Sequence, residues 1–211
     1  MSSEQHPTAY CAIAERYTEL FGDVARLAVE DRRLISSWAA ECHGRILDAG
    51  CGPGHWSAWL AAQGHHTLGV DVSERFITSA RQRHPELVLE LADLRQLSFP
   101  DASFGAALAW YSLIHADSAT LDQMLRELNR CLSPGGSLLM GFFDGPEGEP
   151  FDHAVTLAYY HRVTDLTVRL ERAGFRVVRS ETRQDPGVRA HAALIAQKVE
   201  FGDPARVNNA L

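Results

Sequence analysis

Lysine is almost absent from this 211-residue sequence: Lys198 is the only one, and acidic residues outnumber basic ones to give a formal net charge of −7. Proteins that bind nucleic acid usually carry clustered lysine and arginine, because these side chains neutralise phosphates. The charge balance therefore argues against a nucleic-acid groove, and we predict no nucleic-acid partner.

Long apolar runs are also missing, since no stretch approaches the roughly 20 residues that a membrane-spanning helix needs. Residues 1–7 are polar and lack the apolar core of a secretory signal peptide. We therefore predict a cytoplasmic protein with no membrane partner.

The spacings that mark metal sites and disulfide frameworks are absent too. The ten histidines include no His-x-x-x-His pair, and no Cys-x-x-Cys spacing occurs among the cysteines, which are Cys11, Cys42, Cys51 and Cys131. We predict no metal site. A composition of 45% hydrophobic and 22% charged residues suits a single globular domain spanning residues 1–211.

The most informative stretch is residues 46–54, Ile-Leu-Asp-Ala-Gly-Cys-Gly-Pro-Gly. Its apolar start predicts a buried strand, and Gly50, Gly52 and Gly54 allow a tight turn and a close approach of the backbone to a ligand. A helical pattern with Trp56 and Leu60 follows at once. A strand, a glycine loop and a helix N-terminus together are typical of a nucleotide site, although an ordinary tight turn remains an alternative.

Strand and helix patterns alternate along the rest of the chain. Two helices (8–21 and 24–38) precede the first strand, and later helices are predicted near 73–83, 121–132 and 165–173. Ser73 is the expected N-cap of the helix at 73–83. Further strands are predicted at 67–70, 87–91, 104–110, 137–142, 175–182 and 188–198. This order predicts a doubly wound, mostly parallel α/β sheet that binds its ligand beyond the carboxyl ends of the strands. Because only a short turn at 184–187 joins the last two strands, they should form a hairpin, and one of them must be antiparallel.

Two aspartates follow predicted strands and are candidates for nucleotide contacts. Asp71 ends the second strand, 17 residues after Gly54, where a carboxylate can hold both hydroxyls of a ribose; it is also a possible helix cap before Ser73. Asp93 ends the third strand and could accept a hydrogen bond from the exocyclic amine of adenine, or serve only as a turn residue.

Five segments in order carry a family resemblance. They are Leu-Asp-Ala-Gly-Cys-Gly-Pro-Gly (47–54), Gly-Val-Asp-Val-Ser (69–73), Ala-Asp-Leu (92–94), Leu-Ala-Trp-Tyr-Ser-Leu-Ile-His (108–115) and Leu-Ser-Pro-Gly-Gly-Ser-Leu-Leu (132–139). Together they resemble the successive motifs of class I S-adenosylmethionine-dependent methyltransferases, over about residues 40–200. The chain looks most similar to the small-molecule, ubiquinone/menaquinone-biosynthesis-like (type 11) branch. The resemblance implies a Rossmann-like, seven-stranded sheet with an antiparallel last strand and an N-terminal helical lid.

It also implies S-adenosylmethionine as cofactor and S-adenosylhomocysteine as product. Asp48, Gly50 and Gly52 would border the methionine part, and Asp71 would hold the ribose hydroxyls. The remaining implied contacts are Val72 on the adenine face, Asp93 and Leu94 at the adenine edge, Trp110 beside the sulfonium and, in the lid, Tyr17.

The acceptor pocket should form between the lid (1–43) and a cap segment (143–162), on either side of a cofactor-binding core (44–142); a last helix and hairpin (163–200) complete the domain. Its expected lining is aromatic, which favours a mostly apolar small molecule, although the same residues could be plain core: Phe143, Phe151, Tyr159 and Tyr160.

Methyl transfer from a sulfonium needs alignment more than a catalytic triad. If the acceptor is a hydroxyl or an amine, a base is useful, and His115 is the first candidate, ahead of His153 and His161. His115 could equally have no proton to move.

Other function classes fit less well. The fourth strand lacks the Asn/Asp-Pro-Pro-Tyr/Phe ending of amino-directed nucleic-acid methyltransferases, a Lys-Asp-Lys-Glu tetrad cannot be built from one lysine, and no Pro-Cys nucleophile occurs. A nicotinamide-dependent oxidoreductase would need glycine at the position of His55. A cofactor-binding module without catalytic activity remains a third possibility.

Overall fold

The computed structural model describes residues 24, 28–153 and 157–199. Its helices are α1 (Val29–Glu41), α2 (His55–Ala62), α3 (Glu74–Arg83), α4 (Ser118–Cys131) and α5 (Val163–Arg172), with a 3₁₀ turn at Leu113–His115. Its strands are β1 (Ile46–Ala49), β2 (Thr67–Asp71), β3 (Leu89–Leu91), β4 (Phe104–Trp110), β5 (Leu132–Phe143), β6 (Pro150–Asp152), β7 (Leu157–Tyr159), β8 (Phe175–Arg183) and β9 (His191–Lys198).

Seven strands form one sheet in the order β3-β2-β1-β4-β5-β9-β8. The pairs among β1 to β5 are all parallel, whereas β9 pairs antiparallel with both β5 and β8. The predicted doubly wound sheet with an antiparallel last strand is therefore confirmed. The sheet is continuous because the β8–β9 hairpin inserts its second strand next to β5.

Helices cover both faces of this sheet. On one face, α1 and α2 bury Ile35, Trp38 and Leu60 against Ile46 and Leu108 of the sheet. On the other face, α4 and α5 supply buried leucines that pack against strands β4, β5 and β9: Leu121, Leu125, Leu128, Leu166 and Leu170. Apolar residues on both faces explain why the central strands read as continuous hydrophobic runs in the sequence.

The fifth strand differs most from its predicted bounds. The sequence predicts a strand at 137–142, but β5 already begins at Leu132. Its register with β4 jumps from the pair Phe104–Leu132 to the pair Ala106–Ser137, and Gly135 has a φ of 71°. The Pro-Gly-Gly sequence therefore forms a bulge inside the strand, where glycine permits the positive φ.

Residues 150–159 contain a small antiparallel hairpin, β6–β7, that the aromatic pattern did not predict. The first predicted helix (8–21), with Tyr17, lies outside the described residues. In the part of the chain that the structure describes, no helix has the length and apolar character required to cross a membrane.

The last residues of the parallel strands meet at one edge of the sheet, which we call the carboxyl edge. It includes Ala49, Asp71 and Trp110 at the ends of β1, β2 and β4. Because β9 runs in the opposite direction, its first residue, His191, lies at the same edge and pairs with Phe143 of β5. The carboxyl edge therefore brings together most of the predicted site residues and one histidine that was not predicted.

Candidate active site

The glycine loop after β1 has the backbone that its sequence predicts. Gly50, Gly52 and Gly54 have φ values of 79°, 53° and 80°, a region that residues with a Cβ rarely adopt. A Cβ on Gly50 would lie 2.3 Å from Cβ of Ser112, whereas a Cβ on Gly52 would meet no atom of the described residues within 4 Å. The loop is thus tightly packed at Gly50, whereas Gly52 has space beside its Cα that a ligand atom could occupy.

Asp48 is a buried carboxylic acid directly before this loop. Its Oδ2 accepts a hydrogen bond of 2.6 Å from the hydroxyl of Ser57 in α2. Burial raises the pKa of Asp48 to about 7, although the bond from Ser57 works in the opposite direction. The sequence predicted Asp48 at the site, but gave no sign that Ser57 would hold it.

Asp71 ties the end of β2 to the glycine loop. Its two carboxylate oxygens accept hydrogen bonds from the backbone N–H groups of Gly52 (2.9 Å) and Ser73 (2.8 Å). Burial raises the pKa of Asp71 to about 6, and the backbone hydrogen bonds oppose that shift. Ser73 also caps α3 by accepting from the N–H of Phe76, as its position predicted. A fixed carboxylate at this point has lone pairs left for the two hydroxyls of a ribose.

Apolar side chains stand exposed next to Asp71. Val72 is 40% exposed and Leu91, at the end of β3, is 55% exposed, in a chain whose other strand residues at this edge are mostly buried. Leu94 is buried in the core. This exposed pair offers a flat apolar surface of the kind on which a purine ring can pack.

The carboxylate of Asp93 is shared with Arg95. The guanidinium nitrogen Nε of Arg95 lies 3.0 and 2.8 Å from the two oxygens, and the backbone N–H of Arg95 also donates to Oδ1. Despite partial burial, these bonds hold the pKa of Asp93 below its usual range. The predicted contact of Asp93 with adenine stays a prediction, and the structure adds Arg95 as the residue that orients its carboxylate.

These residues fit an adenosyl cofactor. Three features lie along the carboxyl edge. They are the space beside Gly52, the fixed hydrogen-bond acceptor Asp71 and the exposed apolar pair Val72 and Leu91. Among the described residues, no group of three or more histidine, cysteine, aspartate or glutamate side chains is arranged to hold a metal ion.

Trp110 connects this region with a second one. Its ring contacts Trp56 of α2 at a centroid distance of 6.2 Å and lies over Gly141, where a Cβ would come within 2.8 Å of the indole. Trp110 also forms part of the wall of a cavity of about 240 Å³. The other walls are the start of α1, the end of β8 and the start of β9, including Asp31, Arg183 and His191.

The cavity contains a hydrogen-bonded pair of aromatic side chains. The hydroxyl of Tyr111, the residue after β4, lies 2.5 Å from Nδ1 of His191. Across the same cavity, the guanidinium of Arg183 is 3.0 Å from Asp31 of α1. None of these four residues was predicted, but a histidine opening the antiparallel strand had to reach the carboxyl edge, so topology alone could have indicated His191.

None of the four predicted acceptor residues lines this cavity, although Phe143 contacts His191 in its wall. Phe143 contacts the ring of His191 at 5.1 Å and that of Phe151 at 5.3 Å, and Phe151 stacks on Tyr160 at 4.3 Å. Arg189 covers Phe151 and donates to the hydroxyl of Tyr160. Tyr159 is half-buried on β7. The structure thus gathers three of the four into one aromatic cluster, and their role in binding the acceptor remains a prediction.

The predicted base His115 lies deeper. It is 6% exposed, and its Nδ1 is 2.8 Å from the carbonyl oxygen of Leu157, which can only accept. Its ring contacts His153 at 5.3 Å. His161 is also buried, and burial lowers the pKa of both His153 and His161. None of the three is part of the cavity wall formed by Trp110 and His191. Their roles as bases stay predictions.

Comparison with known proteins finds similarity to methyltransferases over part of this chain. Residues 46–136 match the family described as "Methyltransferase domain". The chain is 35% identical over 132 residues to a malonyl-[acyl-carrier protein] O-methyltransferase of Erwinia billingiae, covering 62% of this chain and 50% of that one. It is 31% identical over 143 residues to a demethylmenaquinone methyltransferase of Beutenbergia cavernae, covering 66% and 58%. The chain therefore spans about half the length of the curated relatives that it matches.

Among solved structures, the fold is similar to that of magnesium protoporphyrin IX methyltransferase from Synechocystis PCC 6803 with bound S-adenosylhomocysteine. The TM-score is 0.74 at 20% identity, covering 93% of this chain and 100% of that one. This likeness confirms the Rossmann-like methyltransferase fold. The family match over residues 46–136 includes the glycine loop, Asp71, Asp93 and Trp110, which are among the residues that carry the predicted motifs.

Proposed function

We propose that this protein is an S-adenosylmethionine-dependent methyltransferase that acts on a small-molecule acceptor. The observation that carries the proposal is the position of Trp110, which contacts Trp56 next to the glycine loop and also forms a wall of the 240 Å³ cavity. A methyl donor and its acceptor need adjoining but separate sites, and Trp110 borders both.

Asp71 and the glycine loop are the residues that would hold the donor. Asp71, fixed by Gly52 and Ser73, would accept hydrogen bonds from the ribose hydroxyls, and Val72 and Leu91 would pack on the adenine. Asp48, held by Ser57, would border the methionine part. Hydrogen bonds within the protein orient both carboxylates, which limits the ordering that binding requires.

When bound, the cofactor supplies a methyl group already activated on a positively charged sulfur. The protein then mainly has to align the acceptor with that methyl group and to exclude water, effects that can lower a barrier by up to about 7–11 kcal/mol. The indole of Trp110 supplies an aromatic face near a cation, which is worth about 0.5–2 kcal/mol. The rings of Trp56 and Tyr111, at 6.2 and 5.4 Å from Trp110, hold this face in place.

The cavity limits the size of the acceptor. A volume of about 240 Å³ is at or below the lower end for ligand pockets and suits a molecule with one aromatic ring or a similar short chain. The names of two relatives include malonyl-acyl carrier protein and demethylmenaquinone. These molecules are larger than the cavity and could place only their reactive end in it.

The two alternatives receive less support. A nicotinamide-dependent oxidoreductase needs a small residue at position 55, where His55 is buried at the start of α2. A module that only binds the cofactor would not require a second cavity next to Trp110. Two predictions from the sequence remain predictions: that the protein is cytoplasmic, and that it has no nucleic-acid partner.

The proposal is tested by incubating the protein with S-adenosylmethionine labelled in its methyl group and a panel of phenols, aromatic amines, short carboxylic acids and quinols. We expect label to move to at least one acceptor and S-adenosylhomocysteine to form in equal amount. Tight binding of S-adenosylhomocysteine without transfer to any member would favour the binding module. Binding of a nicotinamide dinucleotide in its place would contradict the proposal.

A further inference from the structure

The pair formed by Tyr111 and His191 has the geometry of a proton relay. Tyr111 Oη and His191 Nδ1 are 2.5 Å apart, and both residues form part of the wall of the 240 Å³ cavity. A phenol and an imidazole can each donate or accept in such a bond, so a proton can pass in either direction. Their rings meet edge to face at 5.7 Å, which fixes the orientation of the bond.

The backbone at Tyr111 is strained, and this conformation determines where the Tyr111 side chain lies. Its φ of 54° lies in the left-handed region, which a bulky residue adopts only at a cost of about 1–3 kcal/mol. The backbone N–H of Tyr111 donates to the carbonyl oxygen of Gly141, which holds the turn. Strain of this kind persists where the surrounding structure requires it and is concentrated at functional sites. Here it turns the phenol of Tyr111 towards His191 directly after Trp110.

His191 is placed to accept a proton. Burial and then Arg183 of β8 lower its pKa, while Asp31 of α1 and Asp185 of the hairpin turn oppose this shift. Tyr111 faces it from the end of β4, and Phe143 of β5 packs on its ring. The imidazole is therefore neutral near pH 7, and once protonated it has two carboxylates nearby to stabilise its charge.

We propose that the Tyr111–His191 pair accepts the proton that the methyl acceptor loses, an inference that rests on the function proposed above. The acceptor atom forms its bond to the methyl carbon as the bond from that carbon to the sulfonium sulfur breaks. The proton on the acceptor atom passes to the pair and comes to rest on His191, which becomes an imidazolium. The positive charge lost by the sulfur thus reappears on His191, so the charges balance. The acceptor class that needs such a pair carries an ionisable O–H or N–H group.

This assignment competes with the predicted base His115. His115 donates its Nδ1 proton to the carbonyl of Leu157 and lies outside the cavity wall, whereas His191 lies in the same wall as Trp110. The two assignments predict opposite effects of substituting His191 and His115, so one experiment distinguishes them.

The test uses 4-nitrophenol as a probe, because its phenolate and phenol forms differ in visible absorption and no methyl transfer is required. The probe is titrated with pH while bound to the full chain saturated with S-adenosylhomocysteine. We expect the apparent pKa of the bound probe to fall by about 1–3 units, since the proton that the phenol loses moves to His191 and the resulting imidazolium stabilises the phenolate. His191→Gln should return it to the value in free solution, and Tyr111→Phe should reduce the shift while keeping the aromatic packing.

His66→Gln is the control, because His66 is exposed before β2 at the opposite edge of the sheet, and it should leave the shift unchanged. Binding of S-adenosylhomocysteine to each variant shows that it is folded and tests the proposed function independently. The inference would be overturned by an unshifted bound probe, by a probe that does not bind, or by a shift that persists in His191→Gln and disappears in His115→Gln.

Discussion

Asp71 makes the most consequential contacts of any single side chain in the site. It fixes the glycine loop through Gly52 and the start of α3 through Ser73. Asp71→Asn replaces one accepting oxygen by an N–H group, which then faces a backbone donor. Hydrogen bonds to charged groups contribute about 1.5–3 kcal/mol, so we expect S-adenosylhomocysteine to bind about 10- to 100-fold more weakly by calorimetry.

The matched control is Asp101→Asn, since Asp101 is a 79% exposed aspartate at the far edge of the sheet, paired with Arg130. Its affinity for S-adenosylhomocysteine should equal that of the wild type. Equal affinities for all three proteins would show that Asp71 does not contact the ribose.

The raised pKa of Asp71 predicts how binding depends on pH. With a pKa of about 6, Asp71 is a carboxylate above about pH 7 and becomes protonated as the pH falls through 6. The protonated form loses an acceptor, so S-adenosylhomocysteine affinity should be constant at high pH and then fall by up to about tenfold per pH unit below pH 6. Calorimetric titrations between about pH 8 and pH 5 measure this.

Asp71→Asn should remove the step near pH 6 and leave any step from Asp48, whose pKa is raised to about 7. A wild-type affinity that does not change over this range would contradict the expected role of the ionised carboxylate.

Gly50 provides a test of packing within the loop. Gly50→Ala adds a Cβ 2.3 Å from that of Ser112, whereas Gly64→Ala adds one in open space at a similar φ of 89°. Both variants bear a left-handed backbone cost of about 1–2 kcal/mol, and only Gly50→Ala adds overpacking of about 1–3 kcal/mol. In urea unfolding experiments, we expect Gly50→Ala to lower the free energy of unfolding by more than Gly64→Ala does. Equal losses would mean that Ser112 moves aside freely.

The β8–β9 hairpin adds side chains to the site at the carboxyl edge of the sheet. Its antiparallel strand β9 brings His191 to the carboxyl edge, and the end of β8 brings Arg183 to Asp31 of α1. Alternation of helices and strands in the sequence was enough to predict the order and direction of these elements. It could not show which side chains meet across the edge, because those contacts join residues separated by 80 or more positions and depend on register.

Helix α1 is expected to depend on this hairpin through one ion pair. Asp31 and Arg183 are 18% and 25% exposed, whereas the pair Arg179–Glu181 on β8 is 55% and 42% exposed. Burial raises the pKa of Asp31 despite the nearby guanidinium, so desolvation offsets much of the attraction. We expect a double-mutant cycle with Asp31→Asn and Arg183→Gln to give a coupling energy of about 1 kcal/mol, and the exposed pair to give a smaller one. A larger coupling for the exposed pair would contradict this account.

At the scale of the whole molecule, sequence reasoning was most successful where motifs have a fixed backbone requirement. Gly50, Gly52, Gly54 and Ser73 adopt the conformations or caps that their spacing predicted, because positive φ and helix capping are local properties. The acceptor side was less predictable. An aromatic stretch such as residues 143–160 shows that rings will pack together, but the sequence does not reveal whether they surround a cavity or fill it.

The proposed activity depends on two regions acting together. In this proposal, Asp48 and Asp71 would hold the cofactor, and the cavity with Tyr111 and His191 would hold the acceptor. Trp110 is the residue that both regions share. The central claim is therefore that the carboxyl edge binds an adenosyl methyl donor.

The most direct test is a calorimetric titration of the wild-type protein with S-adenosylhomocysteine and, separately, with NADH. We predict one saturable site for S-adenosylhomocysteine per chain, weakened in Asp71→Asn, and no measurable binding of NADH. Binding of NADH with none of S-adenosylhomocysteine would contradict the account.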